Sequence, residues 1–228
     1  MRVVRTDLSM IIDALIEHYH RSLGYDFLIP LKARDQALTP LEVLIGVVLS
    51  QNSTDRNAWR ALESLLRHYG GRVTIERLRE TDVNTIEDLI RPAGMYRLKA
   101  RTIKNIALRL REEDELVRLD PDALREVLLS IRGVGPKTVD VFLASVRNFP
   151  TFPIDTHIRR ILYRLGVVER ASEKYERIKA EVMRQLTPNK LLIAHYVLIL
   201  HGRRVCRARN PRCALCPVRD TCVRNGLS

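Results

Sequence analysis

Leu129-Ser130-Ile131-Arg132-Gly133-Val134-Gly135-Pro136-Lys137-Thr138-Val139-Asp140 sets a Gly-Val-Gly turn between two stretches of helical pattern, and its reading decides the fold. Upstream, Asp120-Pro121 opens a helix with a capping carboxylate followed by proline at the first helical position. Downstream, Pro136 starts a second helix that is expected to run to Asn148. Glycines between two helices let the backbone turn tightly and bring unpaired amides at the start of the second helix against a phosphate, a contact that needs no particular base sequence. This is a helix-hairpin-helix pattern, with Gly133, Val134 and Gly135 as its candidate phosphate contacts. Taken alone, G-x-G also describes an ordinary interhelical turn. The charge of the chain separates the two readings.

The 228 residues carry 39 Lys plus Arg against 27 Asp plus Glu, a formal net charge of +12 and a pI near 10.0, which favours a polyanionic partner such as nucleic acid. From Arg203 onward stand seven arginines (203, 204, 207, 209, 212, 219 and 224) and a single acid, Asp220. A membrane is not the expected partner: Leu41 to Leu49 and Leu191 to Leu200 are too short to span a bilayer. The opening MRVVRTDLSM lacks the basic, apolar and small-residue order of a secretory signal, so a cytoplasmic, nucleoid-associated location is expected.

The same arginine-rich tail holds all four cysteines, Cys206, Cys213, Cys216 and Cys222, in the order C-x6-C-x2-C-x5-C. Four soft thiolates in one short loop form a ligand set, and a disulfide framework is the weaker reading because such frameworks belong mainly to small secreted chains. His195 and His201 lie nearby, but four sulfurs already complete a site. The spacing alone leaves zinc and iron-sulfur both open.

Working outward, helical punctuation continues along the chain and no alternating strand pattern appears, so the fold is expected to be all-α. Thr39-Pro40-Leu41-Glu42 reads as a capping box opening a helix to Ser50, and a second helix from Thr54 to Tyr69 stops at Gly70-Gly71. Between Tyr96 and Arg111 the apolar positions 96, 100, 103, 107 and 110 recur at helical spacing, while Arg97, Arg101 and Lys104 form a second, solvated face. Further helices are expected over His157–Leu165, Ser172–Leu186 and Pro188–His201, and a domain boundary near Asn148 to Pro153.

Eighteen residues after Lys137 comes Asp155, in Pro153-Ile154-Asp155-Thr156-His157. A lysine after a hairpin commonly contacts phosphate, and an aspartate before Thr-His commonly caps a helix. Together, however, G-V-G-x-K-T, D-T-H at this distance and the terminal cysteine pattern resemble the endonuclease III family of DNA glycosylases over roughly residues 40 to 222. The resemblance implies that Lys137 is the nucleophile, that Asp155 is its essential partner, and that the cysteines ligate a [4Fe-4S] cluster. It also places Leu49-Ser50-Gln51-Asn52-Ser53-Thr54-Asp55 where the family has a loop that fills the gap left by a flipped base, giving Asn52 that task with Gln51 as an adjacent substitute. Gly94-Met95-Tyr96 corresponds to a family loop whose apolar residue, here Met95, separates the opposite bases. Pro136 and Arg132 depart from the family pattern and leave the lesion open.

The resemblance further implies two helical lobes flanking a DNA cleft, with Lys137 and Asp155 facing each other across it. One lobe would be a six-helix barrel-type domain of residues 34–149, the other the iron-sulfur domain of 1–33 and 150–228. The function so implied is that of a monomeric bifunctional glycosylase/AP lyase acting on double-stranded DNA with oxidised pyrimidines or abasic sites. Alternatives are a mismatch-type glycosylase, for T or U opposite G or A opposite oxidised G, and a non-catalytic iron-sulfur DNA-binding module.

Overall fold

The computed structural model describes residues 7–20 and 37–227, and these are helical, with no strand among them. Twelve α-helices occur among the described residues: α1 (Leu8–Tyr19), α2 (Pro40–Ser50), α3 (Asp55–His68), α4 (Ile75–Glu80), α5 (Val83–Leu89), α6 (Tyr96–Arg109), α7 (Glu115–Arg118), α8 (Pro121–Leu129), α9 (Pro136–Val146), α10 (Thr156–Arg164), α11 (Tyr175–Gln185) and α12 (Pro188–Arg204). The described residues fall into two compact units, one within 37–149 and the other formed by 7–20 and 150–227. The boundary expected between residues 33 and 34 lies outside the described residues.

The unit of residues 37–149 is built on α2, which is apolar all round and buried from Leu41 to Leu49, as a helix at the centre of a core must be. Its capping box is present: Thr39 Oγ1 accepts from the Glu42 amide (3.2 Å) and Glu42 Oε2 accepts from the Thr39 amide (2.8 Å). Glu42 is fully buried, and its carboxylate also accepts from the Val73 amide (2.9 Å) and from Arg72 Nη1 (3.2 Å). One side chain thus satisfies two separate chain segments, which offsets the cost of burying its charge.

Two basic side chains close each other's helices. Lys104 on α6 donates to the carbonyls of Leu78 (2.9 Å), Arg79 (2.6 Å) and Thr81 (2.6 Å) around the end of α4. Arg79 on α4 donates in return to the carbonyls of Ala107 (2.8 Å) and Leu110 (2.5 Å) at the end of α6. Each cation meets the negative end of the other helix and the carbonyls left without intrahelical partners. Lys104 is therefore no member of a solvated basic face, and α6 stops at Arg109 because Leu110 is already extended. Likewise α9 stops at Val146: Asn148 turns left-handed (φ +48°), and the Phe149 amide closes on the Leu143 carbonyl (3.1 Å).

In the other unit, α12 packs along α1 and α10. Gly202 on α12 permits the close approach of α10, since a Cβ there would stand 2.8 Å from His157 Cβ. Lys190 Nζ on α12 meets Asp13 Oδ1 on α1 at 2.7 Å. No helix is long and apolar enough to cross a membrane among the described residues.

Candidate functional site

The hairpin between α8 and α9 is held from three sides. Across its limbs, Arg125 Nη2 on α8 pairs with Asp140 Oδ1 on α9 at 2.6 Å, with Asp140 fully buried. From α6, Asn105 Nδ2 donates to the Arg132 carbonyl (3.2 Å). From the end of α2, Gln51 Nε2 donates to the Gly133 carbonyl (3.3 Å) and to Thr138 Oγ1 (3.0 Å). The turn's carbonyls are thereby engaged, while Gly135, the N-cap of α9, supplies no side-chain cap. Its first amides have no intrahelical acceptor, so the positive end of α9 is left for an anion.

The two glycines serve different ends. Gly133 has φ +100°, and a Cβ on it would fall 2.0 Å from Oγ1 of the buried Thr102 on α6. Gly135 has an ordinary backbone (φ −108°), and a Cβ there would meet nothing within 4 Å. Gly133→Ala is accordingly expected to destabilise the protein by about 2–5 kcal/mol, from left-handed strain plus overpacking. Gly135→Ala should leave the melting temperature close to that of the wild type and weaken duplex binding by about tenfold, because a methyl there hinders the close approach of backbone to phosphate. Thermal melts and a binding titration on both variants check the contrast; equal melting temperatures would show that the turn is not braced by α6.

Lys137 sits in the first turn of α9, partly exposed, and its ammonium makes no hydrogen bond or ion pair among the described residues. Asn52 and Met95 are both exposed and both left-handed, each with φ +47°. Asn52 Nδ2 reaches Met95 Sδ at 3.8 Å, so the loop after α2 and the loop before α6 touch through these two side chains. Gln51, next to Asn52, is turned instead to the hairpin.

Asp155 belongs to the other unit, where it is the N-cap of α10: its Oδ1 accepts from the Ile158 amide at 2.8 Å. Burial holds His157, in the first turn, below the usual histidine range. Further along α10, Arg160 donates to the carbonyls of Gly202 (3.1 Å) and Cys206 (2.9 Å). Arg164 donates to the carbonyl of Arg207 (2.7 Å) and to Cys206 Sγ (3.3 Å). The helix capped by Asp155 is thus the one that grips the start of the cysteine loop.

Cys206, Cys213, Cys216 and Cys222 are free thiols that line one cavity together with Ile161, Val205 and Val218. A zinc ion draws four thiolates onto one centre at about 2.3 Å each. A four-iron cluster binds each thiolate through a different iron and so holds them farther apart, around an apolar cavity of this kind. Four thiols around one such cavity are a donor set that fits a cluster.

A hydrogen-bonded line reaches the cysteine loop from α1 and α12. Cys216 Sγ lies 3.6 Å from His201 Nε2, and His201 Nδ1 lies 3.1 Å from the Tyr19 hydroxyl. Burial lowers His201 to about 4 and raises the Tyr19 phenol to about 12. With the imidazole neutral, one ring nitrogen carries the proton and the other accepts, so His201 links the Tyr19 hydroxyl to the Cys216 sulfur in one hydrogen-bonded line. Burial also pushes the Cys216 thiol up to about 11. His195 is not among the residues that line the cavity, and its Nδ1 lies 3.0 Å from the Pro153 carbonyl.

Sequence reasoning passed over Lys99. Although only 2% exposed, it donates from Nζ to the carbonyls of Leu49 (2.9 Å) and Ala93 (2.8 Å), and burial lowers its ammonium to about 8. Its position between Tyr96 and Ile103 on the apolar stripe of α6 was the available signal.

Known proteins resemble this chain over most of its length. Residues 45–188 match the HhH-GPD superfamily base excision DNA repair protein, and residues 206–222 match the iron-sulfur binding domain of endonuclease III. The endonuclease III of Sulfolobus acidocaldarius is 42% identical over 78% of this chain and 79% of its own length. That of Escherichia coli is 32% identical over 81% of this chain and 83% of its own. A solved trapped endonuclease III–DNA covalent intermediate, an estranged-adenine complex, superposes with a TM-score of 0.79 at 26% identity, covering 96% of both chains.

Proposed function

Because this chain belongs to the HhH-GPD superfamily of base excision DNA repair proteins, as a DNA glycosylase of the endonuclease III type with an iron-sulfur loop, we propose that it is bifunctional, removing oxidised pyrimidines such as thymine glycol and cleaving the strand at the resulting abasic site. One observation carries this reading. Lys137 stands beside the open amides of the hairpin with its amine committed to no structural contact among the described residues. A lysine that served only the fold would be packed or paired, as Lys99 and Lys104 are.

A base stacked in duplex DNA cannot be reached at C1′, so the nucleotide must leave the helix, at the cost of unstacking. Asn52 would occupy the gap and Met95 would part the bases on the facing strand. The hairpin amides would hold the phosphate backbone. The Lys137 nitrogen then bonds to C1′ as the glycosidic bond breaks and its electron pair leaves with the base. Loss of a proton from nitrogen and opening of the sugar give an iminium, which acidifies C2′; removal of that proton expels the 3′ phosphate. The Asp155 carboxylate stabilises positive charge developing on the sugar and assists proton transfer.

Cys206, Cys213, Cys216 and Cys222 would hold a [4Fe-4S] cluster, which ties the arginine-rich loop into one shape. Exposed Arg209, Arg212, Arg219 and Arg224 are then presented to phosphate. Borohydride trapping on duplexes carrying thymine glycol or an abasic site tests the reading. A covalent complex with both supports it. Trapping at the abasic site alone moves the base specificity elsewhere, and no trapping at either removes the lysine mechanism.

A further inference from the structure

Met95 holds a left-handed backbone that costs a side-chain-bearing residue about 1–3 kcal/mol, and Asn52 shares it at the same φ of +47°, where asparagine is better tolerated. Neither loop is long enough to impose this by itself: two residues separate Leu49 from Asn52, and one separates Ala93 from Met95. At those two carbonyls the same ammonium ends. Lys99 Nζ donates to Leu49 O at 2.9 Å, in the last turn of α2, and to Ala93 O at 2.8 Å, closing the 3-10 turn Arg91–Ala93. Both carbonyls lie where a helical turn ends and intrahelical partners run out. A cation there also meets the negative end of α2.

We propose that Lys99 is a positioning residue that locks the loops of Asn52 and Met95 into one plug-and-wedge unit, and so serves separation of the opposite strand rather than bond breaking. This rests on reading Asn52 and Met95 as plug and wedge. Lys99 itself is buried and presents almost no surface to a duplex. A core position at this point of the α6 stripe calls for an apolar residue of similar length, and lysine there costs desolvation that only its two carbonyl bonds offset.

The experiment compares two substrates under single turnover: an abasic site paired opposite guanine, and an abasic site bulged from the duplex with no nucleotide facing it. The bulge has no opposite base to separate. Lys99→Met and Lys99→Gln are both measured, with Met95→Ala as reference and 2-aminopurine opposite the abasic site as a fluorescent reporter of unstacking. In the Lys99 variants, cleavage of the paired substrate should fall by about ten- to a hundredfold, as expected when groups are misplaced by a fraction of their span. Cleavage of the bulge should stay within about twofold of wild type, and the 2-aminopurine signal should be lost as in Met95→Ala.

Parallel loss on both substrates, an unchanged ratio, or failure of both variants to fold would overturn the proposal and make Lys99 a stability residue of the whole unit. A wild type inert on both substrates refutes the lysine lyase instead; the fluorescence then still decides the role of Lys99. A Met95→Ala protein with an unchanged signal refutes the wedge reading on which the proposal rests.

Discussion

Lys137→Gln is expected to lower strand cleavage at an abasic site by roughly three orders of magnitude or more and to eliminate the borohydride-trapped complex. Glutamine keeps most of the reach and the polarity of lysine. Its amide nitrogen, however, has its lone pair delocalised into the carbonyl, so it can neither attack C1′ nor form an iminium. The structure makes the variant a clean one. Lys137 is partly exposed and makes no hydrogen bond or ion pair among the described residues, so its replacement leaves their interactions intact. It also places a cation at the positive end of α9, which disfavours the helix by about 0.3–1 kcal/mol. The variant should therefore melt at or slightly above the wild-type temperature. Duplex binding should weaken only by the loss of one phosphate-facing charge. Activity lost together with the fold would leave the lysine unassigned to chemistry, and a trapped complex that persists would place the reacting amine elsewhere in the chain.

What the sequence revealed of this molecule divides by the range of the interactions involved. Thr39, Thr54 and Asp120 announce α2, α3 and α8 because a cap is an interaction between residues two or three apart. The Gly-Val-Gly turn and the four cysteines are legible for the same reason. Helices α4, α5 and α7 are too short, at six, seven and four residues, for an apolar period to establish itself, and tertiary packing decides them. Lys104 reads as surface because its neighbours at helical spacing are charged, yet its three acceptors lie more than twenty residues away. Gln51 and Asn52 are adjacent in sequence and part company in space, one braced on the hairpin and the other on Met95, for a reason that only the positive φ of Asn52 reveals. Thr102 is silent in the sequence, although it is what makes glycine obligatory at 133.

Cys213→Ala should cost the tail its fold and the protein much of its affinity for DNA. From Val205 to Leu227 the chain's one regular helical element is the 3-10 turn Cys213–Leu215, and its buried apolar residues are Val205 and Val218. So little buried surface cannot offset the entropy of ordering more than twenty residues, and a loop of this kind needs a staple. A cluster held by four thiolates is that staple, and its binding free energy is folding free energy for the loop. Three ligands hold it less tightly, so the visible thiolate-to-iron absorption should fall. The loop should then become a substrate for trypsin at Arg207, Arg209, Arg212 and Arg219. Far-ultraviolet helicity should change little, because α10 and α12, which the loop is tied to, are fixed by their own packing on each other. Duplex affinity should drop with a shallower dependence on salt, since the slope of log K against log salt shrinks by about 0.9 for every phosphate that the loop no longer neutralises. This distinguishes a loop that presents arginines to phosphate from one that merely completes the fold. A folded, cluster-bearing Cys213→Ala protein with wild-type salt dependence would refute both the ligand assignment and the role of the loop in DNA binding.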